Sequence, residues 1–216
     1  MKILALTDIH GSYETMRSII ASHPDADVIV LGGDVTTFGS SDEMTAALDQ
    51  VQESGKTVLA VCGNMDPPEL EASLRSKGVS LDGRGVIVDG VGFFGVSACP
   101  FSPLHTPNEI SEEEVLRRAE SGWKDVAAAR WKVFVPHTPP VRTKLDRIAS
   151  GRSVGSTSVR AFIEKHQPHV TICGHIHESH GTDTIGQTQI VNCGSAAQGR
   201  HALVEIGKDI AIQTKP

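Results

Sequence analysis

Lys2-Ile3-Leu4-Ala5-Leu6-Thr7-Asp8-Ile9-His10 runs from an apolar, strand-like stretch straight into two side chains that can bind a metal. In extended chain, residues i and i+2 point the same way, so Asp8 and His10 can aim at one spot. The same grammar recurs four times. Val28 to Leu31 leads into Gly32-Gly33-Asp34, and Val58 to Cys62 into Gly63-Asn64. Val133 to Val135 leads into Pro136-His137, and Val170 to Cys173 into Gly174-His175-Ile176-His177. A single GD, GN or strand-end His is more often a turn residue; the ordered set of five exits carries the meaning. Ligands of open α/β sheets collect outside the carboxyl ends of the strands, where these side chains stand. Glycine before Asp34, Asn64 and His175 permits a sharp turn that aims the next side chain inward.

Lys2 to Thr7, Asp27 to Leu31, Thr57 to Cys62, Trp131 to Val135 and His169 to Cys173 read as buried strands. Helical patterns lie between them. Ser40 to Glu43 has the spacing of a capping box, followed by Met44, Ala47, Leu48 and Val51 on one face until Gly55. Ser111 to Glu114 repeats the box ahead of Val115, Leu116 and Ala119, and Val159, Phe162, Ile163 and His166 form a third face closed by Pro168. Two more helices are expected near residues 12 to 22 and 67 to 77. Val86 to Val96 and Thr188 to Ile212 read as strands joined by Gly-bearing turns, with no room for a helix between them. The expectation is an α/β chain whose sheets mix parallel and antiparallel strands. No linker, repeat or low-complexity segment divides it, so residues 1–216 are expected to form one domain.

Composition removes whole classes. Leu, Ile, Val and Phe total 55 of 216 residues, about 25% against the ~20% below which chains stay disordered, so a substantial core can form. The net charge is -6, with no basic run or basic-aromatic stripe, which disfavours general nucleic-acid or membrane-surface binding. No apolar run approaches the length of a membrane span, and the short apolar stretch before Asp8 leads to the expectation of a protein without a secretion signal. Cys62, Cys99, Cys173 and Cys193 form no C-x-x-C pair and read as buried reduced thiols. The chain is therefore expected to be cytoplasmic.

The donor set is Asp8, His10, Asp34, Asn64, His137, His175 and His177: two Asp, one Asn and four His, without a thiolate. That exceeds one tetrahedral zinc and suits two N/O-coordinated divalent ions sharing a bridging carboxylate. Bound cations also give an acidic protein a locally positive site for phosphate. The ordered pattern Asp8-x-His10, Gly33-Asp34, Gly63-Asn64, His137 and Gly174-His175-x-His177 resembles that of the calcineurin-like metallophosphoesterases. Val191-Asn192-Cys193-Gly194-Ser195 is similar to that family's strand and Gly-rich turn after the last ligands. His137-Thr138-Pro139-Pro140 and Gly174-His175-Ile176-His177-Glu178 resemble its small stand-alone prokaryotic phosphohydrolases, often called Icc-related.

The resemblance implies a four-layer α-β-β-α sandwich with two mixed sheets and the site on one edge. It implies that Asp8, His10, Asp34 and His177 hold one metal, and Asp34, Asn64, His137 and His175 the other, with manganese, iron, zinc or nickel as candidate ions. The expected activity is hydrolysis of a small phosphate ester, with a phosphodiester as the expected class, by a metal-bridging hydroxide attacking phosphorus in line. The alternative is a metal-binding interaction scaffold without turnover on the same fold. In fuller family signatures a His follows the Asn, with an Asp and an Arg following the bridging Asp at the third and fourth positions. Here those places hold Met65, Thr37 and Phe38, which argues against a protein Ser/Thr phosphatase.

Several other motifs need weighing. Gly90-Val91-Gly92-Phe93-Phe94-Gly95 matches a dinucleotide fingerprint but lies inside a strand reading. Gly151-Arg152-Ser153-Val154-Gly155 matches a nucleophile elbow without a proper strand before it. That segment could instead offer a phosphate donors from Arg152 and a helix start near Ser156. Ser97 to Asn108, with its three prolines and His105, is a candidate wall for the substrate. His180 is a candidate support for His177, and His23, His166, His169 and His201 are expected to be ordinary.

Overall fold

The protein is described by a computed structural model covering residues 1–216. The first half alternates strand and helix: β1 (Lys2–Leu6), α1 (Tyr13–Ser22), β2 (Val28–Gly32), α2 (Ser41–Gln52), β3 (Thr57–Val61) and α3 (Glu71–Ser76). A hairpin follows, β4 (Gly85–Val88) and β5 (Val91–Val96), then the short pair β6 (Cys99–Pro100) and β7 (Glu109–Ile110). Next come α4 (Glu112–Asp125), β8 (Trp131–Pro136), α5 (Thr157–His166) and β9 (Val170–Cys173). Strands β10 (Gly181–Ile185), β11 (Thr188–Asn192), β12 (His201–Ile206) and β13 (Ile210–Lys215) complete the chain.

These strands build two sheets, ordered β13-β12-β1-β2-β3 and β10-β11-β9-β8-β5-β4. In each, the central strands are parallel and the outer hairpins antiparallel. Alternation along the strands explains the stacking. Ile3 and Ala5 of β1 join Phe93, Val133, Val135 and Ile172 of the other sheet in the central core. Their neighbours Leu4 and Leu6 face the opposite way, onto α1 and α2 through Met16, Ile19, Met44 and Leu48. Phe94 and Phe134 likewise turn outward to meet α4 and α5. The result is the expected four-layer α-β-β-α sandwich. No helix is long and apolar enough to cross a membrane.

Local chemistry sets the helix boundaries. Ser40, Ser111 and Ser156 accept from the backbone N–H groups of Glu43, Glu114 and Val159 at the starts of α2, α4 and α5. The two capping boxes are half-made: Glu43 accepts from the Tyr13 hydroxyl, and Glu114 accepts from Arg117 and Arg118. Tertiary and neighbouring-turn partners displace the local reciprocal bond. The turn between β4 and β5 places Asp89 and Gly90 both at positive φ, 47° and 80°, which suits a two-residue hairpin.

Two expectations need correction. The 67–77 helix is a single 3-10 turn, Pro68–Leu70, leading into six residues of α3, which stops at Gly78 with φ 71°. Thr188 to Ile212 is not one meander, because β11 and β12 lie in different sheets. β11 pairs with β10, a strand the sequence reading missed because Gly181-Thr182-Asp183-Thr184-Ile185 buries only Ile185.

Phe162 is fully buried, with ring centroids 4.9 Å from Phe134 and 5.7 Å from Phe94. Phe162→Ala is expected to cost about 3–5 kcal/mol. Urea denaturation checks this: the midpoint should fall with little change in slope.

Candidate metal centre

The parallel strands β1, β2 and β3 of one sheet and β8 and β9 of the other end at a common edge, and their exit loops carry the donor set. Asp8, His10, Asp34 and His175 all sit in the left-handed region, with φ 55°, 49°, 51° and 66°. That conformation costs about 1–2 kcal/mol per non-glycine residue and persists only where the surroundings over-determine it. Here they do. The Asp8 N–H donates to the Gly33 carbonyl at 3.0 Å, that of His10 to the Asp34 carbonyl at 2.9 Å, and that of Gly11 to the Val35 carbonyl at 3.1 Å. The β1 and β2 exits are thereby zipped together. The Asp8 carboxylate accepts from the His175 N–H at 3.1 and 3.0 Å, joining the second sheet to the first.

Asp66, to which the sequence reading assigned no role, clamps the next pair of loops. Its buried carboxylate accepts from Val35 N–H (3.1 Å), Thr36 N–H and hydroxyl (both 2.8 Å) and Gly63 N–H (2.9 Å). It thus holds the exits of β2 and β3 in one register. Asn108 adds a brace, donating from its side chain to the Gly63 carbonyl at 3.0 Å. The glycines act differently from expectation. Only Gly33 is at positive φ; a side chain on Gly63 would strike the Asp34 carboxylate, and one on Gly174 the Asp8 carboxylate. Those two are glycine for close approach rather than for turning.

The donor atoms gather into two triads, Asp8 with His10 and His177, and Asp34 with His137 and His175, each within 4.8 Å of one another. Asp34 Oδ2 lies 3.7 Å from His10 Nε2 and 3.4 Å from His137 Nε2, so one carboxylate oxygen reaches toward both triads. Asn64 Oδ1 is 3.0 Å from His137 Nε2. His137 Nδ1 faces the Gly32 carbonyl at 2.9 Å, which can only accept. Nδ1 therefore carries the proton, and a ring deprotonated at Nε2 presents that lone pair to the centre. His10 Nδ1 is 3.0 Å from the Thr37 hydroxyl, which turns its Nε2 toward Asp34. Thr37 thus serves His10.

Protonation follows from this crowding. Burial pushes the Asp8 carboxyl up, but the His177 hydrogen bond and the charges of His137 and His177 outweigh it and hold it at about 2. Burial pushes His137 down, yet the charge and hydrogen bond of Asp34 raise it to about 9. His175 is lowered to about 4, by burial first and then by the charge of His137. The Asp8 hydrogen bond raises His177. All seven donors are N or O, two carry negative charge, and they divide about a shared carboxylate. This set fits a pair of divalent cations.

A sequence model described as the calcineurin-like phosphoesterase superfamily domain matches residues 1–208. The chain belongs to that superfamily. The MJ1162 protein of Methanocaldococcus jannaschii is 34% identical over 198 residues, covering 89% of this chain and 87% of that one. The TT1561 structure from Thermus thermophilus superposes with a TM-score of 0.79 at 19% identity, over 98% of this chain and 97% of that one. A dimetal phosphatase from Danio rerio gives 0.71 at 13% identity, over 99% and 95%. At such identities the two structures speak for the shared fold.

Beside Asn64 and His175 opens a cavity of about 490 Å³, bordered by Cys99 to Leu104 and Thr106 and by the loop from Ile148 to Gly155. The Ser97 to Asn108 segment is therefore a wall of it, although His105 is exposed and takes no part. The start of α5, which could have offered a seat for phosphate, is a capped helix start that is already filled. The Glu112 carboxylate accepts there from Ser156 hydroxyl (2.6 Å), Thr157 N–H (2.8 Å) and Ser158 N–H (2.9 Å). Ser153 donates to Asp146 in a loop, so the elbow motif is a decoy, and Gly90 to Gly95 lies in the β4–β5 hairpin. His180 makes no hydrogen bond to His177; its Nε2 is buried without a partner. His23 and His201 pair with each other at 2.8 Å, and His166 pairs with Glu120.

Asp66→Asn would turn an amide NH₂ toward backbone donors. It is expected to weaken divalent-metal binding about 10- to 100-fold, as loss of a support behind metal ligands does, and to lower stability by about 1–3 kcal/mol. Metal titration and urea denaturation of the variant check both. In the metal-free protein, His137 raised from 6.5 to about 9 stabilises the fold fully below pH 6.5, and this contribution is lost as pH rises through 9. Urea stability of the metal-free protein is expected to fall across that window, and saturation with a divalent ion is expected to abolish the fall.

Proposed function

We propose that the chain is a dinuclear-metal phosphoesterase that hydrolyses a small phosphate ester of the phosphodiester type. Asp8, His10, Asp34 and His177 would hold one divalent ion, and Asp34, Asn64, His137 and His175 the other. The observation that carries this reading is Asp34 Oδ2, within 3.7 Å of a His nitrogen from each triad. Two bound cations supply a water of lowered pKa and charge neutralisation at the phosphoryl oxygens. Manganese is the first ion to test, since the donor set is N and O without a thiolate.

The chain's own residues do the rest. Asp34 fixes the separation of the two triads. Hydrogen bonds to the Gly32 carbonyl and the Thr37 hydroxyl orient His137 and His10, so the site needs little reorganisation on binding. Asp8 and Asp34 place two negative charges where two divalent ions would bring four positive ones, leaving an attraction for anions. Met65 stands next to Asn64, and its backbone N–H donates to Asp34 Oδ1 at 2.7 Å. Its thioether cannot donate a proton, so the leaving group departs without help from that position. Residues 1–216 act in this proposal as one domain, because β1 and β12, from opposite ends of the chain, are ladder neighbours. The four free, buried cysteines support a cytoplasmic setting.

Metal-loaded protein is expected to hold two ions per chain, about 3.5–4 Å apart, and to turn over bis(4-nitrophenyl) phosphate. Asp34→Asn should lose turnover and the second ion together. Elemental analysis, anomalous diffraction and nitrophenol release measure these outcomes. One ion under saturating metal contradicts the dinuclear centre, whereas two ions without turnover of any ester favour the scaffold alternative.

A further inference from the structure

Most large apolar side chains in this protein are buried, but four stand out in solvent, and two of them, Phe101 (72% exposed) and Leu104 (80%), border the cavity beside Asn64 and His175. Their loop is braced in that position. The Glu109 carboxylate accepts from Ser102 N–H (3.0 Å) and hydroxyl (2.8 Å) and from Thr106 N–H and hydroxyl (both 2.8 Å). The β6–β7 pairing closes the base of the loop. Holding two apolar side chains in water with this brace costs hydrophobic free energy that a ligand's apolar surface would recover. Ile148 and Val154 supply an apolar surface on another wall.

Polar groups in the cavity are unevenly engaged. Glu112 is occupied by the start of α5. Arg152 is the one Lys or Arg on the wall, and its guanidinium has no hydrogen bond or ion pair, whereas Arg147 nearby donates to the Gly151 carbonyl at 3.1 Å. Thr138, next in sequence to His137, is only 3% exposed, and its hydroxyl has no partner. Glu178, also on the wall, is exposed and makes no hydrogen bond or ion pair. An unpaired guanidinium against apolar walls and a buried hydroxyl beside the metal ligands both call for oxyanions.

We infer that this cavity is the leaving-group subsite, taking a flat apolar group that carries a second anionic substituent. Phe101 and Leu104 cover the ring, Arg152 pairs with the distal anion, and Thr138 donates to the phosphoryl group. The inference rests on the phosphoesterase reading and adds a substrate class to it: aryl-type phosphate esters bearing a carboxylate or a further phosphoryl group.

The probes are phenylphosphonate and its 3- and 4-carboxy derivatives, titrated calorimetrically into metal-loaded wild type, Arg152→Gln and the double variant Phe101→Ser/Leu104→Ser. Both substitutions fall on exposed loops. Wild type is expected to bind at least one carboxylated probe about tenfold tighter than phenylphosphonate, the gain of a hydrogen-bonded charge pair. Arg152→Gln should erase that preference while leaving phenylphosphonate within about twofold. The double variant should weaken all aromatic probes about fivefold or more and leave inorganic phosphate unchanged. Equal binding of all aromatic probes by wild type, or a preference that survives Arg152→Gln, overturns the subsite. Phenyl phosphate and its carboxylated derivatives, assayed in parallel with the phosphodiester bis(4-nitrophenyl) phosphate, separate the two readings. Turnover without carboxylate preference defeats the subsite alone, and absence of turnover on every ester defeats the phosphoesterase reading while the binding series still reports on Arg152.

Discussion

Two carboxylates, Asp8 and Asp34, are buried at the sheet edge, and the rest of this end of the molecule is arranged around them. A buried charge without partners is too costly to keep. The fold answers with hydrogen bonds from the His175 and Met65 amides and with four imidazoles turned inward. In the metal-free chain the imidazoles carry part of the compensating charge, which is why His137 and His177 are raised while His175, buried and crowded by His137, is lowered. Divalent ions would do the same task more completely. The arrangement is thus electrostatically incomplete in a way that cations resolve.

That charge cluster could not stand on relaxed loops. Four donors sit in strained left-handed backbone, and the strain is held by a mesh of main-chain bonds between exits that are distant in sequence. Asp66 is the central knot of that mesh. Its oxygens accept from both the Asp34 and the Asn64 loops, so a residue that touches no substrate sets the spacing of those that would. The two rigid sheets beneath, locked by the shared core of Ile3, Phe93, Val135 and Ile172, keep the two triads in register.

Beside this polar edge the chain builds a wall of the opposite character. The Glu109 brace presents Phe101 and Leu104 to solvent next to His175 and Asn64, while Glu112 occupies the helix start that borders the cavity. Free cationic character is left to the metal centre and to Arg152.

How much of this was legible in the chain itself differs from part to part. The candidate donors were readable because their signal is local: an apolar run followed at once by Asp, Asn or His, five times in order. The four layers were expected from the resemblance to a known family, and alternation accounts for them in the folded chain, where Ile3 and Leu4, or Phe93 and Phe94, face opposite ways. Strand β10 escaped because one buried residue in five makes no pattern. Asp66, Asn108 and the Thr37 contact escaped because a carboxylate, an amide or a hydroxyl announces no partner until loops from separate strands are brought together. The filled start of α5 escaped likewise, for Glu112 lies far from Ser156 in sequence. Sequence alone thus determined which atoms could bind metal and which faces had to be buried, both being properties of single residues and their nearest neighbours. That Asp34 stands between the two triads, and that some donors are already engaged, came from the folded chain, because distance and competition for hydrogen bonds exist only there.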